Sequence, residues 1–254
     1  MDLNGRVAIV TGGGTGIGRA VCQALAAAGA AAIVVNYAHS QQEAQATAEC
    51  LSGLGCEGLA WRADVTSETE VARMVDEAIR RWRRLDILIN CAGTTRIIDF
   101  KDLDAATDEI WDEVLEVNVK GAFRCVRLAA PHLRSTRGAI VNVGSTAGIR
   151  ASGSSIPYAV SKAALHHLTR TLALALAPHV RANAIAPGTT RTRWYRSRIG
   201  DREADDEEQA ASEATPLQGV ASPADCAHMV IALLSSDWVT GQVVVVDGGR
   251  HLRY

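Results

Sequence analysis

The chain has 254 residues, 48% of them hydrophobic, which is enough for a substantial core. Its 26 Lys and Arg against 28 Asp and Glu leave a formal net charge of -2, and that balance gives no electrostatic case for a nucleic-acid partner. Six cysteines without a CxxC pair fit reduced thiols in a cytoplasm better than a disulfide frame or zinc site, and seven histidines without an HExxH or facial-triad spacing lead to the expectation of no catalytic metal.

Met1 to Arg6 is polar and the apolar VAIV run behind it is too short for a signal peptide or a membrane span. That run, Val7 to Val10, reads as a strand leading into Thr11-Gly12-Gly13-Gly14-Thr15-Gly16-Ile17-Gly18, followed by an alanine-rich helix to about Ala28. Strand, glycine turn, helix is the order a phosphate cradle needs, because glycines let backbone N–H groups approach and the helix start carries partial positive charge. A plain helix-capping loop uses glycine in the same way. A second strand, Ala32 to Val35, ends in Asn36-Tyr37-Ala38-His39-Ser40. In dinucleotide folds an acid there binds the ribose 2′-OH. None is present, so the loop tolerates a 2′-phosphate, with His39 and Ser40 as donors and Tyr37 on the adenine side. The reading is NADP(H) preferred, with NAD(H) possible.

A helix over Gln41 to Ser52, a strand from Gly58 to Arg62 that runs on to Asp64-Val65, and an amphipathic helix over Glu68 to Trp82 follow. The apolar strand Leu85 to Asn90 runs into Cys91-Ala92-Gly93. Apolar strands alternating with helices imply a parallel sheet covered on both faces, whose ligands collect at the carboxyl ends where Asp64, Asn90 and Gly93 fall. A helix from about Ala106 to Leu133 carries Asn118, a polar residue that needs partners in an apolar stretch. The strand Gly138 to Val143 places Ser145 just beyond its end, and no histidine in the pattern stands paired with it as a hydrolase base.

Tyr158 and Lys162 in YAVSK fall at i and i+4 of a helix running to about Ala177, so a phenol and an ammonium share one face. An adjacent cation lowers a phenol's pKa, which makes the pair a candidate proton donor; an ordinary helix with a snorkelling lysine has the same spacing. A strand from Val180 to Ile185 ends at Ala186-Pro187-Gly188. From Thr189 to Pro216 the chain turns polar, with five arginines, Trp194 and Tyr195, then an acidic run; this reads as a lid over a pocket or as a solvated helix pair. A helix over Asp225 to Ser235 and a strand from Gln242 to Val246 close the chain, and no repeat or linker divides residues 1–254 into domains.

Taken together, TGGGTGIG, Asp64-Val65, the Asn90 turn, Asn118, Ser145, YAVSK and the Pro187-Gly188 turn resemble the short-chain dehydrogenase/reductase family over essentially the whole chain. The resemblance implies a Rossmann-like, doubly wound sheet of about seven parallel strands, a nicotinamide cofactor, and a catalytic set of Asn118, Ser145, Tyr158 and Lys162. It places the cofactor against Gly12, Thr15, Gly16, Ile17, Gly18, Asn36, Tyr37, His39, Ser40, Asp64, Val65, Asn90, Ala92, Gly93, Tyr158, Lys162, Pro187, Gly188, Thr190 and Thr192. It further implies that Lys162 lowers the pKa of Tyr158 and that Asn118 orders a water relay.

The sequence departs from the family pattern at Cys91 within the Asn90 turn, at Thr190, and at Thr15, where many NADP-using members carry a basic residue. The nearest-looking subgroup is the 3-oxoacyl-thioester and ketone reductases. Pro131 and His179 stand where carrier-protein reductases place arginines, which favours a small-molecule carbonyl or alcohol over a carrier-bound substrate. Ser145, Tyr158, Trp194, Arg96 and Arg150 are the substrate-side candidates, the arginines for a small anionic one. A sugar or polyol dehydrogenase and a non-catalytic cofactor-binding regulator are the alternatives, and a homotetramer or homodimer is expected by analogy.

Overall fold

The computed structural model describes residues 1–253, the side chain of Tyr195 excepted. Seven runs rich in Val, Ile and Ala form the strands β1 (Val7–Thr11), β2 (Ala32–Tyr37), β3 (Glu57–Arg62), β4 (Ile87–Asn90), β5 (Ala139–Val143), β6 (Arg181–Pro187) and β7 (Val243–Val246). They pair in parallel throughout, in the order β3-β2-β1-β4-β5-β6-β7. The order reverses between β3-β2-β1 and β4-β5-β6-β7, and a ligand crevice belongs at the carboxyl end of that switch point.

Helices cover both faces. α1 (Gly16–Ala27), α2 (Gln41–Ser52) and α9 (Pro223–Ser235) bury residues such as Val21, Leu25, Leu51 and Val230 with Ile33 and Ile87 of the sheet. On the other face α3 (Glu68–Trp82), α5 (Ala122–Thr136) and α6 (Ile156–Leu176) enclose Met74, Leu133 and Leu172 with Ile9 and Leu88. The sheet therefore has no wet face, which explains its continuous rather than alternating apolar strands. Among the described residues no helix is long and apolar enough to cross a membrane, and no group of three or more His, Cys, Asp or Glu is gathered as a metal site.

One expected element differs from the sequence reading, and one that the sequence leaves open takes the second of its two forms. The helix expected from about Ala106 to Leu133 is α4 (Asp108–Leu115), a π-helical stretch Glu116–Gly121, and α5. The widened turn carries Asn118 inward to full burial, where its side chain meets Thr94 and Ser161. The 189–216 segment is a helix pair, α7 (Arg193–Ile199) and α8 (Asp201–Ala214), held together by Arg196 to Asp205 and Glu208 and by Arg191 to Glu208.

Candidate active site

One cleft of about 1510 Å³ lies along the carboxyl ends of the strands and joins the glycine turn to the Tyr158 helix. Its floor is set by close backbone approaches. Gly12 adopts φ +64°, and a side chain there would meet the Ala92 backbone at 3.2 Å; a Cβ on Gly18 would come within 2.2 Å of the Gly12 carbonyl. Thr11 Oγ1 accepts from the N–H groups of both Cys91 and Ala92, at 3.0 and 3.1 Å, and so locks the end of β4 to the end of β1. A cradle of this shape is open to a pyrophosphate and closed to side chains, and it opens on the first turn of α1, where backbone N–H groups carry partial positive charge. The residues present thus fit a dinucleotide.

At the end beside the loop after β2, His39, Ser40, Asp64 and Val65 line the cleft. The Asp64 carboxylate accepts from Thr66 N and Oγ1 at 2.9 and 2.8 Å, which fixes the turn after β3. Asn36 also borders the cleft, but its amide is turned away to donate to Ala63 O at 2.8 Å, while its main-chain carbonyl accepts from Gly13. A residue the sequence reading missed reaches this end: Arg193, at the start of α7, donates to Ser40 Oγ at 3.3 Å and pairs with Glu43 of α2. Nothing in its local sequence announces a contact 153 residues back along the chain.

At the other end, Ser155 caps α6 by accepting from Tyr158 N at 3.3 Å, and Pro157 opens the first turn, so Tyr158 is fixed at the helix start facing Ser145. Lys162 is buried one turn further on, and its ammonium donates to Val143 O at 2.9 Å. Here the structure corrects the expected coupling. Lys162 Nζ sits 5.6 Å from the Tyr158 ring centroid and is committed to a carbonyl. Burial pushes the Tyr158 phenol up, opposed by a hydrogen bond from Ser145 and the charge of Arg198, and burial pulls Lys162 down to about 8. In this state burial outweighs the groups that lower the phenol's pKa, and the phenol is held protonated.

Four expected site residues stand off the cleft wall. Gly18 packs under Gly12 and shapes the turn from behind. Asn90 points into the sheet, donating to Asn142 Oδ1 at 2.9 Å, while its own Oδ1 is buried without a partner among the described residues. Asn118 is consumed by Thr94 N at 2.7 Å, Thr94 O at 3.0 Å and Ser161 Oγ at 2.9 Å, so its amide joins the β4 loop to α6. Arg96 is drawn to Glu113 at 2.7 Å. Arg150 does line the cleft, but it binds the carbonyls of His251 and Arg253.

The remaining candidate residues line the cleft: Gly12, Thr15, Gly16, Ile17, Tyr37, Ala92, Gly93, Pro187, Gly188, Thr190, Thr192 and Trp194. Thr192 caps α7 through Trp194 N at 3.3 Å, and Trp194 reaches within 3.9 Å of the place a Cβ on Gly93 would take. The side chain of Tyr195, read with Trp194 as a pocket wall, lies outside the described residues.

Behind Ser145 stands a second residue the sequence reading passed over. His166, one turn beyond Lys162 and 3% exposed, accepts from Ser145 N at 3.4 Å through Nε2. A Cβ on Gly144 would lie 2.1 Å from that nitrogen, so only glycine admits the ring. Burial, Lys162 and Arg170 pull its pKa down to about 4, against a hydrogen bond to the Gly148 backbone, and the imidazole is neutral.

Comparison with known proteins finds relatives over nearly the whole chain. A family model described as enoyl-(acyl carrier protein) reductase matches residues 12–251. A protein of Streptomyces violaceoruber, named for ketoacyl reductase 2 of the granaticin polyketide synthase, is 45% identical over 247 residues, covering 97% of this chain and 96% of the relative. Among solved structures, a short-chain type dehydrogenase/reductase from Mycobacterium ulcerans superposes with a TM-score of 0.90 at 31% identity, over 100% of this chain and 92% of that one. A 7α-hydroxysteroid dehydrogenase in complex with NADH and 7-oxo glycochenodeoxycholic acid gives 0.87 at 32% identity, over 97% and 94%.

Proposed function

Because the chain belongs to the short-chain dehydrogenase/reductase family of nicotinamide-dependent oxidoreductases acting on carbonyl and alcohol groups, we propose that it reduces a small-molecule ketone, or oxidises the matching secondary alcohol, with NADP(H) preferred. The observation that carries this reading is the single cleft that brings the glycine cradle and the Ser145, Tyr158 and Lys162 side chains together. The ketone class is further supported by the name of the Streptomyces relative.

Reduction of a carbonyl leaves negative charge on oxygen and requires one proton. The bound nicotinamide supplies the hydride. Ser145 donates to the carbonyl oxygen, and Tyr158, protonated through its burial, delivers the proton and takes it back in the reverse direction. Lys162, anchored on Val143 O, holds the cofactor's ribose and keeps a positive charge behind the phenol. Asn118 positions the β4 loop against α6, which leaves its main chain rather than its amide for a water relay. The helix pair at 193–214 serves as the lid, with Trp194 against the Gly93 ledge.

The NADP(H) preference is supported by the lack of an acid over residues 36–40 and by the guanidinium of Arg193 at Ser40. Glu43 beside Arg193 argues the other way, toward NAD(H). A fluorescence titration with NADPH and NADH side by side separates the two; tighter NADPH binding is expected, and equal or weaker binding contradicts the preference. The free state of all six cysteines supports a reducing, cytoplasmic setting. Exposed Phe123, Val160 and Leu174 on α5 and α6 support a homotetramer or homodimer, checked by light scattering.

A further inference from the structure

The substrate end of the cleft is walled by four arginines from three parts of the chain: Arg150 after β5, Arg198 at the end of α7, and Arg250 and Arg253 after β7. For Arg198, Arg250 and Arg253 the hydrogen bonds among the described residues go to main-chain carbonyls and a hydroxyl. Arg150 binds the carbonyls of His251 and Arg253, Arg250 donates to Thr189 Oγ1 at 2.6 Å, and Arg253 donates to Ala214 O at 3.3 Å. The carboxylates nearby are mostly spoken for. Glu113 holds Arg96, Glu208 holds Arg191 and Arg196, and Asp247 holds the ring and the N–H of His251.

Arg198 stands out within its own segment. Arg191, Arg193 and Arg196 each face an acid of α2 or α8, whereas Arg198 makes no ion pair among the described residues. It is nevertheless fixed in place. Its Nη1 donates to Trp194 O at 2.6 Å, and its guanidinium lies 4.1 Å from the centroid of the Trp194 ring. That ring rests on the Gly93 ledge, whose Cβ direction points to Asn118 Oδ1 and Lys162 Nζ at 3.2 and 3.7 Å. The guanidinium is thus held over the catalytic end with no ion pair among the described residues, and its charge works against the burial that raises the Tyr158 pKa.

From this we infer that the substrate is a ketone that itself carries a carboxylate, bound by the planar fork of Arg198 with Arg250 and Arg253 completing a positive mouth. The inference rests on the ketone-reductase reading and narrows its substrate class to oxo acids. An arginine suits a carboxylate because its fork matches both oxygens, and stacking on Trp194 fixes its plane before the substrate arrives. The positive mouth also draws anions in from solution, an effect that fades with added salt.

The test uses the full-length protein with saturating cofactor and two matched pairs, levulinate with methyl levulinate and acetoacetate with methyl acetoacetate. Each acid is expected to exceed its ester in kcat/KM by about tenfold or more, chiefly through KM, the size of one hydrogen bond to a charged group. Arg198→Met is expected to shrink that ratio by about tenfold, while Arg198→Lys keeps part of it. A ratio near one in the unaltered protein, or a ratio unchanged in Arg198→Met, overturns the inference. So does an equal loss on acid and ester with a displaced pH profile, which assigns Arg198 to Tyr158 alone, and so does an equal loss of cofactor affinity, which assigns it to the cofactor's phosphates. If no ketone is reduced with either cofactor, the ketone-reductase reading falls by itself. Calorimetric titration of the protein with bound NADP+ or NAD+ then decides for Arg198: levulinate binding more tightly than its ester, and losing that advantage in Arg198→Met, sustains the inference, and equal binding overturns it.

Discussion

Replacing His166 by glutamine changes how stability depends on pH, by an amount the structure sets. The imidazole is 3% exposed, its Nε2 accepts from Ser145 N, and burial together with Lys162 and Arg170 pulls its pKa from 6.5 to about 4. The charged groups on its own helix face are Lys162 and Arg170, one turn to either side, and the strand side presents main chain at Gly144 and Ile185. In the unfolded chain the ring takes a proton near pH 6.5, and in the folded protein only near 4. Between those values the unfolded state binds more protons, so stability rises with pH. The contribution is complete above pH 6.5 and is lost as pH falls toward 4, a total of about 3 kcal/mol at 1.36 kcal/mol per tenfold in proton affinity. About 2 kcal/mol of it is gone by pH ~5.

Urea unfolding of the unaltered protein and of His166→Gln from pH ~7.5 down to ~5 measures this directly. Glutamine offers an acceptor and cannot titrate, so the variant begins less stable but falls with a slope shallower by about 2 kcal/mol over the range. Parallel curves would refute the argument, because they would mean that His166 titrates as freely in the folded protein as in the unfolded one.

Other substitutions test separate parts of the account. Ser145→Ala is expected to lower kcat by about a hundredfold or more with little change in cofactor affinity, read by steady-state kinetics and a binding titration. Gly18→Ala forces a methyl to within 2.2 Å of the Gly12 carbonyl, so both cofactor binding and melting temperature should fall; a variant with unchanged NADPH affinity would show that the turn is not the cradle. Arg193→Ser should raise the Kd for NADPH more than that for NADH, and an unchanged ratio would remove Arg193 from cofactor selection. Because burial brings Lys162 down to about 8, cofactor affinity should decline above that pH, and the decline should be missing in Lys162→Met.

The sheet was legible because its strands are short, β-branched and punctuated by glycine, and because several candidate residues sit at or just beyond a strand end. Asn90 and Ser145 follow from that geometry. What stayed hidden depends on distance along the chain or on helix detail. The π turn at Glu116–Gly121 has no propensity signature, so Asn118 read as a residue within one long helix. Arg193 meets Ser40 and Glu43 only through the tertiary path of the lid, and Arg96 and Arg150 were matched to a substrate when Glu113 and the C-terminal carbonyls already claim them. The pKa of Tyr158 was misjudged for a related reason: i,i+4 spacing places Lys162 on the right face, but burial acts on both groups and the ammonium turns to Val143 O.

The central claim is that Tyr158 supplies the proton for a nicotinamide-linked carbonyl reduction in this cleft. Its most direct test compares the unaltered protein with Tyr158→Phe, following the absorbance of the reduced cofactor with ketone substrates and its binding by fluorescence in the same samples. The account predicts that both proteins bind the cofactor to within a few-fold and that turnover falls by about a thousandfold or more in Tyr158→Phe. Equal turnover in the two proteins, or no binding of either cofactor by the unaltered protein, would contradict it.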